Sequence, residues 1–276
     1  MMKRKGFQYL LAGIAITAIL VGVNTHRKSV PVTDSFVPRD YDEIRETGVL
    51  RAVTEYNSLS FHAGKDTLTG FDLELLQAFA SEKGLTLEVT PEMSYEKRLK
   101  GLDEGRYDLM ATSTVITSIQ KDTLLFTRPL LLSKQVLVQR KKENDKDSLY
   151  IDNQLELAHK TLHVVKNSPA LIRIHNLINE IADTIYISEI DKYGPEQLLA
   201  MVSEGEIDYA VCDENLAKAS LKDYPNLDIS KSISFTQFYA WGVSKHSPEL
   251  HDTLDVWLEK YLQTKNYQKL YKKYFN

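Results

Sequence analysis

Two stretches of this chain carry polar groups at the end of an apolar run, where they could hold a ligand. Thr112-Ser113-Thr114 follows Leu109-Met110-Ala111, and Asp213-Glu214-Asn215 follows Tyr209-Ala210-Val211-Cys212. A hydroxyl both donates and accepts hydrogen bonds, and a carboxylate takes an ammonium or backbone N–H groups. That is the chemistry of recognition, contacts to a small polar molecule with no bond to be broken. Each stretch is preceded by the same pattern, Glu-Gly-x-x-Asp, at Glu104–Asp108 and again 100 residues later at Glu204–Asp208. Two α/β units with polar strand tips predict two lobes facing each other across a cleft, because open α/β sheets bind ligands beyond the carboxyl ends of their strands.

Other polar groups can be read two ways. Ser113, Thr114 and Thr117 offer hydroxyl donors at such a cleft, or serve as ordinary turn residues. Lys166-Asn167-Ser168-Pro169 precedes a helical pattern. Its backbone N–H groups could receive an anion, and a plain Ser-Pro helix start fits equally well. Signatures of catalysis are missing from the sequence. Seven histidines are scattered without His-Glu-x-x-His spacing, and there is no Cys-x-x-Cys, Gly-x-Ser-x-Gly elbow or phosphate loop. No metal site, no cofactor and no enzymatic activity are expected.

The elements that must position these residues follow from periodicity. Tyr41 to Thr47 is a short helix around Ile44, stopped by Gly48, and Val49 to Thr54 is a strand. A helix after Gly70 places Leu73, Leu76 and Ala80 on one face, with Leu75 and Phe79 beside them, and ends at Gly84. Leu85 to Thr90 is a strand, and Ser94 caps a helix carrying Leu99 and Leu102. Asp108 to Ser113 is the next strand. This β-α-β-α-β rhythm predicts a mostly parallel sheet with right-handed crossovers. Ser133 to Arg140 leaves that lobe as a strand, and a second α/β set follows. Its strands are Thr161–Val165, Ile185–Ile187 and Asp208–Cys212, with a helical face of Leu171, Ile174, Ile178 and Ile181. A helix opened by Pro195 buries Leu198, Leu199 and Val202, and another runs from about Glu214 to Leu221. Phe238 to Ser244 returns to the first lobe before a helix with the stripe Leu250, Leu254, Trp257, Leu258 and Tyr261. Crossing out once and back once predicts two hinge strands, an architecture suited to closing on a ligand.

Composition narrows the class. The 276 residues are 43% hydrophobic and 26% charged, as in ordinary globular proteins, and the net charge of −4 argues against nucleic-acid binding. Cys212 is the single cysteine, which excludes an intrachain disulfide, and its apolar neighbours predict a buried structural thiol. At the N-terminus, Lys3, Arg4 and Lys5 precede an uncharged run from Phe7 to Val23, and His26-Arg27-Lys28 follow it. This is the pattern of an export signal or an uncleaved membrane anchor, over residues 1–23. Residues 24–38, with Pro31 and Pro38, read as a tether. Either reading puts the folded part outside the cytoplasm, in the periplasm when an anchor at residues 7–23 holds it to the cytoplasmic membrane.

From about Arg39 to Asn276 the chain resembles the extracellular solute-binding proteins of family 3, which have the type II periplasmic-binding-protein fold. Gly48-Val49-Leu50-Arg51, Thr69-Gly70-Phe71-Asp72-Leu73-Glu74-Leu75, Gly105-Arg106-Tyr107-Asp108-Leu109 and Gly205-Glu206-Ile207-Asp208-Tyr209 carry the resemblance by their order and spacing. Within that family it is similar to the non-catalytic N-terminal domain of the membrane-bound lytic murein transglycosylase F family. The similar stretches include Arg39-Asp40-Tyr41-Asp42-Glu43-Ile44, Ser133 to Val138, Ile207 to Asp213 and Tyr224-Pro225-Asn226-Leu227. The chain stops at Asn276, where those enzymes continue into a lysozyme-like domain, so transglycosylase activity is not expected to carry over.

The resemblance implies lobe 1 from residues 39–134 with 237–276, and lobe 2 from 135–236. It places Asp213 where relatives bind a ligand ammonium; as a plain structural residue it would cap the helix starting near Glu214. Tyr56, Phe61 and Tyr95 match ligand-stacking aromatics, or are core. Where amino-acid binders have Thr, two residues, then Arg, this chain reads Thr117-Ser118-Ile119-Gln120. Gln120 therefore stands in the position of the carboxylate-binding arginine. Either Lys121 substitutes or the ligand is not a free α-amino acid. Asp72 is expected to start its helix rather than touch ligand. The expected function is an extracytoplasmic solute-binding protein closing on a small polar ligand, an amino acid or muropeptide-like molecule, in a sensing or regulatory role with a cell-wall enzyme as partner. The alternatives are the substrate-binding component of an ABC amino-acid transporter, with a permease as partner, and a periplasmic dehydratase on the same fold.

Overall fold

In the computed structural model, residues 36–64, 67–144 and 147–275 are described. The membrane segment expected at residues 7–23, and residues 24–35 of the tether, lie outside them. Among the described residues no helix is long and apolar enough to cross a membrane.

The first half begins with α1 (Tyr41–Thr47), whose N-terminus is closed by a reciprocal capping box between Asp40 and Glu43. β1 (Val49–Thr54) follows, then a small hairpin of β2 (His62–Ala63) and β3 (Leu68–Thr69), which periodicity does not reveal because each strand has two residues. After it come α2 (Phe71–Lys83), β4 (Thr86–Pro91), α3 (Tyr95–Asp103) and β5 (Leu109–Val115), then the short strands β6 (Leu124–Phe126) and β7 (Leu131–Ser133). The second half runs β8 (Gln135–Arg140), β9 (Thr161–Val165), α4 (Ala170–Ile181), β10 (Tyr186–Ile190), α5 (Pro195–Ser203), β11 (Ala210–Asp213), α6 (Glu214–Ser220) and β12 (Leu227–Asp228). β13 (Gln237–Ser244), α7 (Pro248–Tyr261) and α8 (Lys265–Phe275) complete it.

These strands form two main sheets, ordered β4-β1-β5-β13-β6 and β10-β9-β11-β8-β12, with β7 also pairing β13. The two orders match strand for strand over four positions. In each sheet three strands are parallel, and the fourth, which connects the lobes, runs antiparallel: β13 against β5, and β8 against β11. The β-α-β strands of each lobe are thus parallel, as expected, and the connecting strand is the antiparallel addition. A strand that arrives from the other lobe enters from the opposite end, so no right-handed crossover sets its direction. The chain passes from the first sheet to the second between Ser133 and Gln135, and back between Asp228 and Gln237.

Each sheet has its own core. In the first lobe Leu75, Leu76 and Phe79 of α2 and Leu250, Leu254 and Leu258 of α7 are fully buried around Leu50, Leu109 and Trp241. Burying each such side chain contributes about 1.5–3 kcal/mol. The second sheet is covered on both faces, by Ile174 and Leu177 of α4 on one and by Leu198, Leu199 and Val202 of α5 on the other. The α4 face is centred on Ile174 and Leu177, with Leu171, Ile178 and Ile181 at its margin. Two covered sheets make two stiff bodies, and stiff bodies hold strand tips at fixed positions.

Candidate ligand-binding site

The strand tips of the two sheets meet in a cleft with two adjoining hollows. One measures about 720 Å³ and the other about 510 Å³, counting the space open to solvent. Glu55 after β1, Thr112 and Ser113 of β5, Asp213 of β11 and Tyr239 of β13 line both. These five side chains come from both lobes and from four strands or strand ends, so the site exists only when both sheets are assembled.

The two equivalent strand tips are used differently. Ser113 Oγ donates to Asp72 Oδ1 at 2.7 Å and its N–H donates to Oδ2 at 3.2 Å, while Trp241 Nε1 donates to Asp72 Oδ1 at 2.7 Å. Burial pushes the Asp72 carboxyl up, and the hydrogen bonds from Trp241 and Ser113 pull it back. Asp72 is thus a buried bracket between α2, β5 and β13. Asp213 caps α6: its Oδ1 accepts from the N–H groups of Asn215 at 2.9 Å and Leu216 at 3.2 Å. Its Oδ2 is buried in the cavity wall without a hydrogen-bond partner. Burial pushes this carboxyl up; the nearby hydroxyls of Ser133 and Tyr239 temper the shift without making a hydrogen bond of good geometry to Oδ2.

Of the residues singled out in the sequence, Tyr95, Ser113, Thr114, Ser168 and Asp213 line the larger hollow. Ser168 Oγ there is buried and unpartnered. Tyr56, 45% exposed, lies edge-on to the buried Phe61 with ring centroids 6.3 Å apart, and neither lines the hollows. Thr117 and Gln120 sit in a tight turn behind the wall. Thr117 Oγ1 donates to Gln120 Oε1 at 2.9 Å, and Gln120 Nε2 donates to the Tyr95 hydroxyl. Both ends of the Gln120 amide are therefore engaged within the protein. Asn167, with φ of 56°, bridges the lobes instead, its Nδ2 donating to Glu96 Oε2 at 3.1 Å. A second bridge runs from the Ser58 N–H to Glu196 Oε1 at 2.9 Å. Cys212 is buried, as expected, and burial pushes its thiol well up.

Sequence reasoning missed Glu55, Arg98, Gln135 and Tyr239. Arg98 is the most informative of them. It is 5% exposed, lines the larger hollow, and its Nη1 donates to the backbone oxygens of Glu92 at 2.6 Å and Met93 at 3.1 Å. Nη1 also lies 3.7 Å from Glu55 Oε1, while Nε is buried with no partner. Burial pushes the Glu55 carboxyl up, and the Arg98 charge pulls it back. A signal for Arg98 was present: it falls three residues after Tyr95 and four before Leu102, a charge on the buried stripe of α3. Thr112 Oγ1 is likewise buried and unpartnered.

The chain is 28% identical over 237 residues to the membrane-bound lytic murein transglycosylase F of Photobacterium profundum, covering 86% of this chain and 45% of that protein. It is 27% identical to the protein of the same name from Desulfosudis oleivorans, covering 84% and 50%. It thus spans about half the length of the curated relatives it matches. Among solved structures, holo ArgBP from T. maritima superposes with a TM-score of 0.71 at 22% identity, covering 86% of this chain and 100% of that one. An ancestral amino acid-binding protein, a precursor of cyclohexadienyl dehydratase, superposes with a TM-score of 0.73 at 23% identity, covering 85% and 99%. These likenesses show the two-lobed fold. The family model for bacterial extracellular solute-binding proteins, family 3, matches residues 50–276, and the chain belongs to that family.

Proposed function

We propose that this chain is an extracytoplasmic binding domain whose lobes close on a small polar ligand of the amino-acid or cell-wall-peptide class. Its role is sensing or regulation rather than catalysis. The observation that carries this reading is the set of buried, unpartnered polar atoms contributed by both lobes to one hollow: Thr112 Oγ1 from β5, Ser168 Oγ before α4 and Asp213 Oδ2 from β11. A buried polar group without a partner costs about 1–3 kcal/mol, so several around one space favour a ligand that satisfies them together. The bridges Asn167–Glu96 and Ser58–Glu196 support closure as the event coupled to binding. The N-terminal basic and apolar pattern supports placement outside the cytoplasm with an anchor at residues 7–23. The names of the relatives, membrane-bound murein transglycosylases, support a cell-wall connection.

A thermal-shift screen of the chain against the L-amino acids and a set of muropeptides tests the reading. At least one ligand is expected to raise the melting temperature by several degrees at saturation, because a ligand that binds only the folded state stabilises it. A flat response across both sets would remove the binding role.

A further inference from the structure

Among the described residues that line the two hollows the one cation is Arg98, at a place that the turn around Gln120 does not reach. We propose that Arg98 is the residue that receives a carboxylate of the ligand, with Glu55 as its resident counter-ion and Asp213 taking the ligand's ammonium from the opposite lobe. The inference rests on the binding role proposed above and names the chemistry of that same site.

Three observations converge. The first is saturation of the alternative: the Gln120 amide donates to Tyr95 and accepts from Thr117, and Gln120 does not line either hollow. The second is the state of Arg98. Two backbone carbonyls hold Nη1, and the Tyr95 ring centroid lies 5.7 Å from the guanidinium carbon, so the group is fixed in the wall. Its Nε is buried and unpartnered, and Glu55 at 3.7 Å is too far for a hydrogen bond of normal length. A guanidinium edge with a free donor matches a carboxylate oxygen better than any neutral acceptor, because charge-assisted hydrogen bonds are roughly twice as strong. The third is the opposing Asp213 Oδ2, also unpartnered, in the same hollow. A positive edge from one lobe and a negative edge from the other are complementary to a molecule carrying both an ammonium and a carboxylate. Glu55 keeps Arg98 from standing as an isolated buried charge while the cleft is empty.

The test compares each L-amino acid with its own carboxamide, which keeps the ammonium and replaces the carboxylate by a neutral amide. Calorimetry on the wild-type chain is expected to show the acid binding at least roughly 30-fold tighter than its carboxamide. Arg98→Gln should weaken the acid by a similar factor and leave the carboxamide within about threefold, and Gln120→Ala should leave both within about threefold. A structural role for Arg98 alone would weaken acid and carboxamide equally, and that result overturns the inference, as does loss of acid binding in Gln120→Ala. If Arg98→Gln fails to fold, the wild-type ratio decides: an acid and its carboxamide binding within about threefold of each other excludes a carboxylate at Arg98. Binding of either form in that pattern leaves the solute-binding role standing, whereas no binding of any amino acid or muropeptide removes both.

Discussion

The two Glu-Gly-x-x-Asp units are alike in backbone and unlike in everything the backbone meets. Each glycine is left-handed, with φ of 73° at Gly105 and 77° at Gly205. Each donates its N–H three residues back, to Leu102 and to Val202, both at 3.1 Å. Five residues after each aspartate comes a cleft residue, Ser113 in one copy and Asp213 in the other. Beyond this the copies diverge. Asp108 is fully buried and accepts from Arg39 at 2.6 Å, from the Arg51 side chain at 2.9 Å and from the Arg51 N–H at 2.8 Å. Asp208 is half exposed and pairs with Arg140 at 2.5 Å. Gly105 packs on the backbone of Val37 and Pro38, whereas a side chain at Gly205 would meet only the Arg140 head at 3.8 Å. One local motif therefore serves as a weld in the first lobe and as a surface turn in the second.

The largest expected consequence is at the aspartates. Asp108→Ala strands two partly buried arginines and should cost about 3–5 kcal/mol in urea unfolding, whereas Asp208→Ala should cost about 1 kcal/mol or less. Equal losses would mean the weld is illusory. Next come the glycines. Gly205→Ala should cost about 1–2 kcal/mol, the strain of a left-handed alanine. Gly105→Ala adds a backbone clash and should cost about 3 kcal/mol or more. A Gly105→Ala loss no greater than that of Gly205→Ala would break the distinction.

At the strand tips the contrast moves from stability to binding. Asp213→Asn keeps an oxygen for the α6 N–H groups but removes the charge, and should weaken an amine-bearing ligand about 30-fold by calorimetry. Ser113→Ala removes a hydroxyl already engaged by Asp72 and should change affinity by about threefold or less. The reverse ranking would exchange the roles assigned to the two tips.

The smallest effect is in pH. Burial raises the Asp213 carboxyl in the folded chain, so the unfolded chain loses this proton first as pH rises. Asp213 therefore makes no difference below the ordinary carboxylate range and lowers stability as pH climbs from there to its raised value, by at most about 1.4 kcal/mol per pH unit. Unfolding midpoints of wild type relative to Asp213→Asn should fall across that window and level off above it. A relative midpoint that rises instead would place Asp213 in a charge-stabilising environment.

The elements were largely legible because their signals are local. The α7 stripe of Leu250, Leu254, Trp257 and Leu258 is buried as spacing predicts, and glycines end α1 and α2 where they stand in the chain. The two-lobed α/β fold with two connecting strands followed from the order of those elements. The short strands β6 and β12 were not legible, since two or three residues hold no period. The antiparallel course of β8 and β13 depends on the strand beside them, and nothing within either segment encodes it.

The candidate site divides in the same way. Sequence alone determined that Asp213 and Ser113 lie in the polar carboxyl-end portions of buried strands, because a polar residue after an apolar run is a local fact. Only the tertiary structure decided which atoms those residues leave free, since Asp72 engages Ser113 from 41 residues away in the chain and is itself held by Trp241 from 169 residues away. The same holds for Arg98, whose helical face is written in the spacing from Tyr95 to Leu102. What that face meets, the Glu55 carboxylate and the hollow between the lobes, depends on contacts that helical periodicity does not encode.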